Sequence, residues 1–405
     1  MELATKLLEA MAAYCADVPL DWTEEYTDEE WLALFRLSAQ QNIAPMVYEA
    51  IRGCPAYARV SPALQGQMRN EVVRKVIAQT LRTEEFRKIY RAFAAEGIHP
   101  LVVKGIVCRS LYRQPDYRPS GDEDILIRPE WLPVCQRILA DFGLQQQKAD
   151  DEFEVSFSKP GTGFLLEIHK SLFAPDSDAM GDYNAFFESA MESAMTVTID
   201  GTEIRTLNGH DHLLYLILHA IKHFIHSGFG IRQVLDIGLW AQWYGDQVDW
   251  PLLRQQCEQA HAAGFAAGVF DAAERCFGIP APSAPCWKEI AADSTAMLED
   301  LLSGGIYGAT DQSRLHSGTV TLNAVAAQRK GKRSGSLLRT VFPSGESLRR
   351  QYPYLEKHPA LLPVAWTQRL WKYGKETKNR DSSTAESLKT ANRRLELLKQ
   401  YGILE

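Results

Sequence analysis

Two aspartates, Asp122 and Asp124, stand two residues apart at the mouth of the apolar run Ile125, Leu126, Ile127. On a strand that spacing sends both side chains to one face. Carboxylates crowded together repel each other and resist burial unless a cation lies between them, and a divalent metal is the usual answer. A site that clamps the attacking and leaving oxygens of a phosphoryl group with two metal ions needs a third acid. Glu167, inside the apolar stretch LLEIH, is the best candidate. Alternation places Leu165, Glu167 and His169 on one strand face and Phe164, Leu166 and Ile168 on the other. A carboxylate there is costly if merely buried, although an exposed hairpin face would suit a lone glutamate.

Upstream, Lys104 and Gly105 close the apolar run Leu101–Val103. They offer a positive charge and a turn without a Cβ, where backbone N–H groups can approach phosphate oxygens. A solvated lysine and a simple turn are the plainer alternatives. Arg118, in the loop before the aspartates, suits phosphate or carboxylate, and a salt bridge to Asp122 or Asp124 would also employ it. His219 and His223 have the four-residue spacing of metal ligands, but no acid completes an HExxH pattern, so packing or a substrate contact is expected there instead of a metal. Arg232 and Asp236 are also four apart, the spacing of an ion pair within one helix.

The elements that must position these groups follow from periodicity. Leu3, Leu7, Leu8 and Met11 recur at helical spacing, a second helix covers 28–39, and Ser61-Pro62 opens a long helix that ends at Gly97. Arg74, Lys75 and Arg82 are expected on its solvated face. Strands are expected over 98–103 and 124–127, then a helix from Pro129 stopped by Gly143. Alternation over 152–158 and 164–169 across KPGTG makes a hairpin, and Asp200-Gly201 turns a second one in type I′ geometry. HLLYLILHAIKHFIH is apolar nearly all round and should be a buried helix. Helices over 231–244, an Ala-rich stretch to Phe277, and 294–302 follow. Residues 328–339 are basic and Gly/Ser-containing, a linker by composition. A Pro- and aromatic-rich wrap comes next, and Ser383 with Glu386 forms a capping box before one short terminal helix.

The 405 residues allow two or three domains. Apolar content of 45%, charge of 23% and net charge of −7 are those of an ordinary globular protein and argue against a general nucleic-acid binder. Seven cysteines without a CxxC pair point to a reducing compartment and away from zinc. The amino-terminal stretch lacks the features of a signal peptide and no apolar run has transmembrane length, so a cytoplasmic protein is expected.

Taken in order, KG, a helix with Leu-Tyr, RPSGDEDILI and LEIHKSLF resemble the uncharacterised nucleotidyltransferase family of the DNA polymerase β-like superfamily. LILHAIKH, IRQVLDIGLW and the later FPS, YP and LLP pieces extend the similarity to near residue 370. The resemblance implies an α+β fold with a polymerase β-like core, a small mixed sheet with helices, flanked by helical regions. The divisions would be 1–96 helical, 97–207 nucleotidyltransferase core, 208–327 helical, and 328–405 linker, wrap and tail. It also implies transfer of a nucleotidyl group from an NTP to an unidentified acceptor, small or macromolecular. Two Mg²⁺ ions, or Mn²⁺, would be held by Asp122, Asp124 and Glu167. Lys104, Gly105 and Arg118 would contact phosphates, and His169 would orient Glu167 or contact phosphate. Arg232 and Asp236, in the helical region over the cleft, would touch nucleotide or acceptor. Where the superfamily opens its motif with Gly-Ser this chain has Lys-Gly, and its third acid is Glu, not Asp. Two other classes remain open, a non-catalytic nucleotide-binding module and a kinase-like transfer. The latter lacks a GxxxxGK[ST] loop and any HRD or DFG element.

Overall fold

Five short strands make the sheet that carries the acids: β1 (Leu101–Val102), β2 (Asp122–Leu126), β3 (Gln145–Gln146), β4 (Glu154–Lys159) and β5 (Phe164–His169). The computed structural model describes residues 2–147, 153–175, 177–226, 228–304, 312–329, 345–348, 352–368 and 384–404. The strand order is β1-β2-β5-β4-β3, with β2 and β5 parallel and every other pair antiparallel. The first strand is shorter than the 98–103 expected. It pairs only at Leu101 and Val102 before Val103 N–H donates to Asp124 O at 3.0 Å. The second begins two residues earlier than expected, so both Asp122 and Asp124 are ladder positions.

Register then sorts the faces. Ile125, Leu166 and Ile168 are fully buried, each burial stabilising the sheet by about 1.5–3 kcal/mol. A separate hairpin, β6 (Met195–Ile199) and β7 (Thr202–Thr206), turns at Asp200 and Gly201, whose φ values of 45° and 72° are those a type I′ turn requires.

Before the sheet come α1 (Leu3–Ala16), α2 (Asp28–Gln40), α3 (Ala44–Ile51) and α4 (Pro62–Ala95). Thr27 and Glu30 cap α2 reciprocally. Ser61 Oγ accepts from Leu64 N–H at 3.3 Å to start α4, and Gly97, with φ 73°, follows its end. This long helix is a strut. Gln79 Oε1 accepts from Ser120 N–H at 2.9 Å, in the loop before β2. Tyr90 OH donates to Pro100 O at 3.0 Å and accepts from Arg205 N–H at 2.9 Å. Arg82 departs from the solvated face expected for it. It is half-buried, and burial with the nearby Arg109 guanidinium lowers its pKa.

Between and after the strands lie α5 (Ile106–Arg109), α6 (Leu132–Asp141), α7 (Ala190–Ser193), α8 (Gly209–His226), α9 (Ile231–Tyr244), α10 (Trp250–Gln259), α11 (Ala263–Phe277), α12 (Pro285–Lys288), α13 (Thr295–Gly304) and α14 (Gln312–Arg329). α8 is the apolar segment, buried along most of its length. The expected linker at 328–339 begins instead inside α14. There Arg329 donates to Met180 O at 2.7 Å and to Ala260 O at 3.0 Å, which anchors it, while 330–339 lie outside the described residues. Ser383 lies outside them too. The last helix, Thr384–Gln400, has 17 residues, longer than the short one expected. Its Arg394 donates to the carbonyls of His226 and Phe224 at the end of α8. One continuous set of buried apolar side chains joins the early helices, the sheet and α8 to α11. Leu348, Leu355 and Ala365 form a small cluster apart.

Candidate active site

The parallel register of β2 and β5 sets Asp124 directly beside Glu167. On the adjoining strand, β4 sets Glu154 opposite His169. Asp122, Asp124, Glu167, His169 and Glu154 therefore share one sheet face. Asp124 is 1% exposed, with Lys104 Nζ 3.0 Å from its Oδ2 and His169 Nε2 3.1 Å from its Oδ1. Burial alone would raise its pKa. The Lys104 ammonium and the His169 contact outweigh that and hold the carboxyl well below the usual range. Glu167 is pushed the other way, up to about 8, by burial and then by the charges of Asp124, Asp122 and Glu154. Asp122 is half-buried and lines the cleft in front of this face.

The opposed shifts give a pH signature. A carboxyl whose folded pKa is raised opposes folding once the unfolded chain has released its proton. Metal-free protein should therefore lose stability to Glu167 as pH climbs from about 4.3 towards the folded value. Denaturant melts of the unaltered chain and of Glu167→Gln should diverge across that window, with the variant gaining relative to the parent at high pH. Parallel curves would show that Glu167 is solvated and unperturbed.

The turn that carries Lys104 is fixed from behind. Gly105 has φ 54° and ψ −120°, and a Cβ there would fall 1.8 Å from Glu123 Oε2. Glu123, between the two aspartates, points to the opposite face and is buried. It accepts from Ile106 N–H at 2.8 Å and from the fully buried guanidinium of Arg109, which also donates to Ser120 Oγ. Burial still leaves the Glu123 pKa raised, with Arg109 opposing it. Sequence reasoning missed this pair. The available signal was an acid on the core face of an apolar strand, which demands a buried cation, and an arginine inside the apolar segment Ile106–Arg109.

Helices α8 and α9 close the cleft opposite Lys104, Gly105, Asp122 and Asp124, presenting His219, Arg232 and Asp236. Arg118 reaches neither Asp122 nor Asp124 for its ion pair. Its Nε donates to Asp236 Oδ1 at 2.7 Å and its Nη2 to Oδ2, while Tyr112 OH donates to Oδ1 at 2.7 Å. Asp236 thus pairs across elements with Arg118 in place of the ion pair with Arg232 that spacing suggested. Arg232 donates to Pro119 O, in the loop leading to Asp122. Arg118 Nη1 is buried without a hydrogen-bond partner on a side chain that lines the cleft. His219 Nε2 lies 3.1 Å from Lys104 Nζ and 3.4 Å from His223 Nε2. Burial and then the Lys104 charge hold His219 far below its ordinary pKa and His223 down to about 3, so both rings are neutral. Lys222, which the sequence did not single out, is half-buried near Glu154, Asp124 and Glu167, and its pKa is lowered chiefly by burial.

Among the described residues, Asp124, Glu167 and His169 form a group with ligand atoms all within 4.8 Å of one another. The donor set fits a divalent cation, since a buried, mutually repelling acid face is what such an ion neutralises. A family model described as uncharacterised nucleotidyltransferase matches residues 27–278, which include the whole acid face and the helices over it. The chain belongs to that family. No curated protein and no solved structure matches it. This nucleotidyltransferase family member has, among its described residues, no helix long and apolar enough to cross a membrane.

Proposed function

We propose that the chain transfers an NMP group from an NTP to an acceptor hydroxyl, with release of pyrophosphate, on a polymerase β-like core at 97–207 beneath the helical region 208–327. The observation that carries this is the β2–β5 register, which brings Asp124 beside Glu167 with Asp122 two residues away on the same face. A binding module has no need of three carboxylates on one sheet face, two of them, Asp122 and Asp124, lining a cleft with Lys104, Arg118 and Arg232. Two Mg²⁺ ions, or Mn²⁺, held by Asp122, Asp124 and Glu167 would supply charge neutralisation on the triphosphate and activation of the acceptor oxygen.

The chain's own groups do the rest by positioning and electrostatics. Lys104 and the free Nη1 of Arg118 bind phosphate oxygens, and the Gly105 turn lets the chain approach them closely. Arg232 and Asp236 support the loop that presents Asp122 and border the nucleotide. Glu167 doubles as the base that accepts the proton of the acceptor hydroxyl. Calorimetry with a non-hydrolysable NTP tests the assignment. Binding should require Mg²⁺ or Mn²⁺, and Lys104→Ala should weaken it by about tenfold or more, the scale of one lost charge-assisted contact. Binding that ignores both the metal and Lys104 would contradict it.

A further inference from the structure

The acid face carries a nitrogen donor that an all-carboxylate site would not. We propose that His169 is a metal ligand through Nε2, completing an oxygen–nitrogen site with Asp124 and Glu167 that takes first-row transition ions such as Mn²⁺ in preference to Mg²⁺. This rests on the reading that the acid face holds a divalent cation and is independent of what is transferred.

Three observations carry it. First, Nε2 lies 3.1 Å from Asp124 Oδ1 and 3.9 Å from Glu167 Oε2. Adjacent ligands of an octahedral ion with bonds of about 2.1 Å stand roughly 3 Å apart, so the Asp124 pair already has that spacing and the Glu167 side chain must close by about 1 Å. Second, the ring is held in place. Its side chain is 8% exposed, and its backbone is locked between β2 and β4 by register with Leu126 and Glu154. His169 O accepts from Ile127 N–H at 3.0 Å, and the next residue's N–H donates to Phe153 O at 2.8 Å. Third, Nδ1 has no hydrogen-bond partner in this state, and Glu154 Oε2 stands 3.6 Å away. A carboxylate behind the ring is the arrangement that fixes the tautomer of a ligating histidine and leaves Nε2 as the lone pair facing the metal. Imidazole favours transition ions, and Mg²⁺ favours all-oxygen shells, so the donor set dictates the preference.

The test is Mn²⁺ binding to the purified full chain, followed by electron paramagnetic resonance with pulsed detection of nitrogen coupling. The unaltered protein should bind Mn²⁺ with a ¹⁴N coupling from one imidazole. His169→Gln should lose that coupling and lose about 10–100-fold in Mn²⁺ affinity while Mg²⁺ affinity changes little. Bound Mn²⁺ without nitrogen coupling, coupling that persists in His169→Gln, or equal losses for both ions would overturn the proposal and leave the acid-face site standing. A chain that binds no divalent ion would overturn both. Should His169→Gln fail to fold, the spectrum of the unaltered chain with its Mn²⁺ to Mg²⁺ affinity ratio decides.

Discussion

Asp124→Asn is expected to abolish nucleotidyl transfer, by on the order of 10³-fold or more, and to weaken the fold as well. The two effects have separate causes. Loss of activity follows from removing the most buried of the three carboxylates on the proposed metal-binding face. Loss of stability follows from the ion pair with Lys104 at 3.0 Å, because breaking a buried pair costs about 3–5 kcal/mol. The pH dependence has a definite sign. Asp124 has a depressed folded pKa, so its contribution is present above the unfolded value near 3.9 and fades as pH falls below it. The melting difference between Asp124→Asn and the unaltered chain should therefore narrow in acid. Asp122→Asn is the contrasting case. Asp122 is half-buried at the strand start, so its loss should match Asp124→Asn in activity and leave the melt within about 1 kcal/mol of the parent. Full transfer activity in either variant would remove both carboxylates from the mechanism.

Gly105→Ala should produce the largest structural effect. A non-glycine residue at φ 54° and ψ −120° carries strain of about 1–3 kcal/mol. The added methyl would sit 1.8 Å from Glu123 Oε2, so the carboxylate must leave Ile106 N–H and the buried Arg109. A disrupted buried pair adds about 3–5 kcal/mol. Denaturant melts should show the sum, and the clash makes it conditional on Glu123. In a Glu123→Ala background the methyl has room, so the second substitution should cost clearly less than it does alone. Strict additivity would mean that Glu123 does not brace the Lys104 turn.

These two substitutions also mark what the sequence could and could not tell. Alternation around Asp124 and Glu167 was enough to put those acids on strand faces, while Asp122 fell just outside the expected strand, and Asp200-Gly201 and the α8 segment announced themselves by local chemistry. The neighbour relation between Asp124 and Glu167 was not local. It depends on β2 lying parallel to β5, a pairing that no short-range pattern encodes. The partner of Arg118 was out of reach for the same reason. Asp236 is 118 residues away, and sequence spacing offered Asp122, Asp124 and Arg232 as nearer matches for the two groups. α3 was missed because APMVYEAI has only 8 residues, shorter than the stretch over which a helical period can be read. The basic run at 328 looked like a linker by composition, and Arg329 instead satisfies three acceptors on other elements.

The most direct test of the central claim is a label chase. The purified chain is incubated with a cell extract as acceptor source, Mg²⁺ or Mn²⁺, and a panel of NTPs labelled at either the α or the γ phosphorus. The account predicts that α label becomes covalently attached to an acceptor, that γ label leaves as pyrophosphate in equal amount, and that Asp124→Asn does neither. Transfer of γ label to the acceptor, with a nucleoside diphosphate as product, would contradict it.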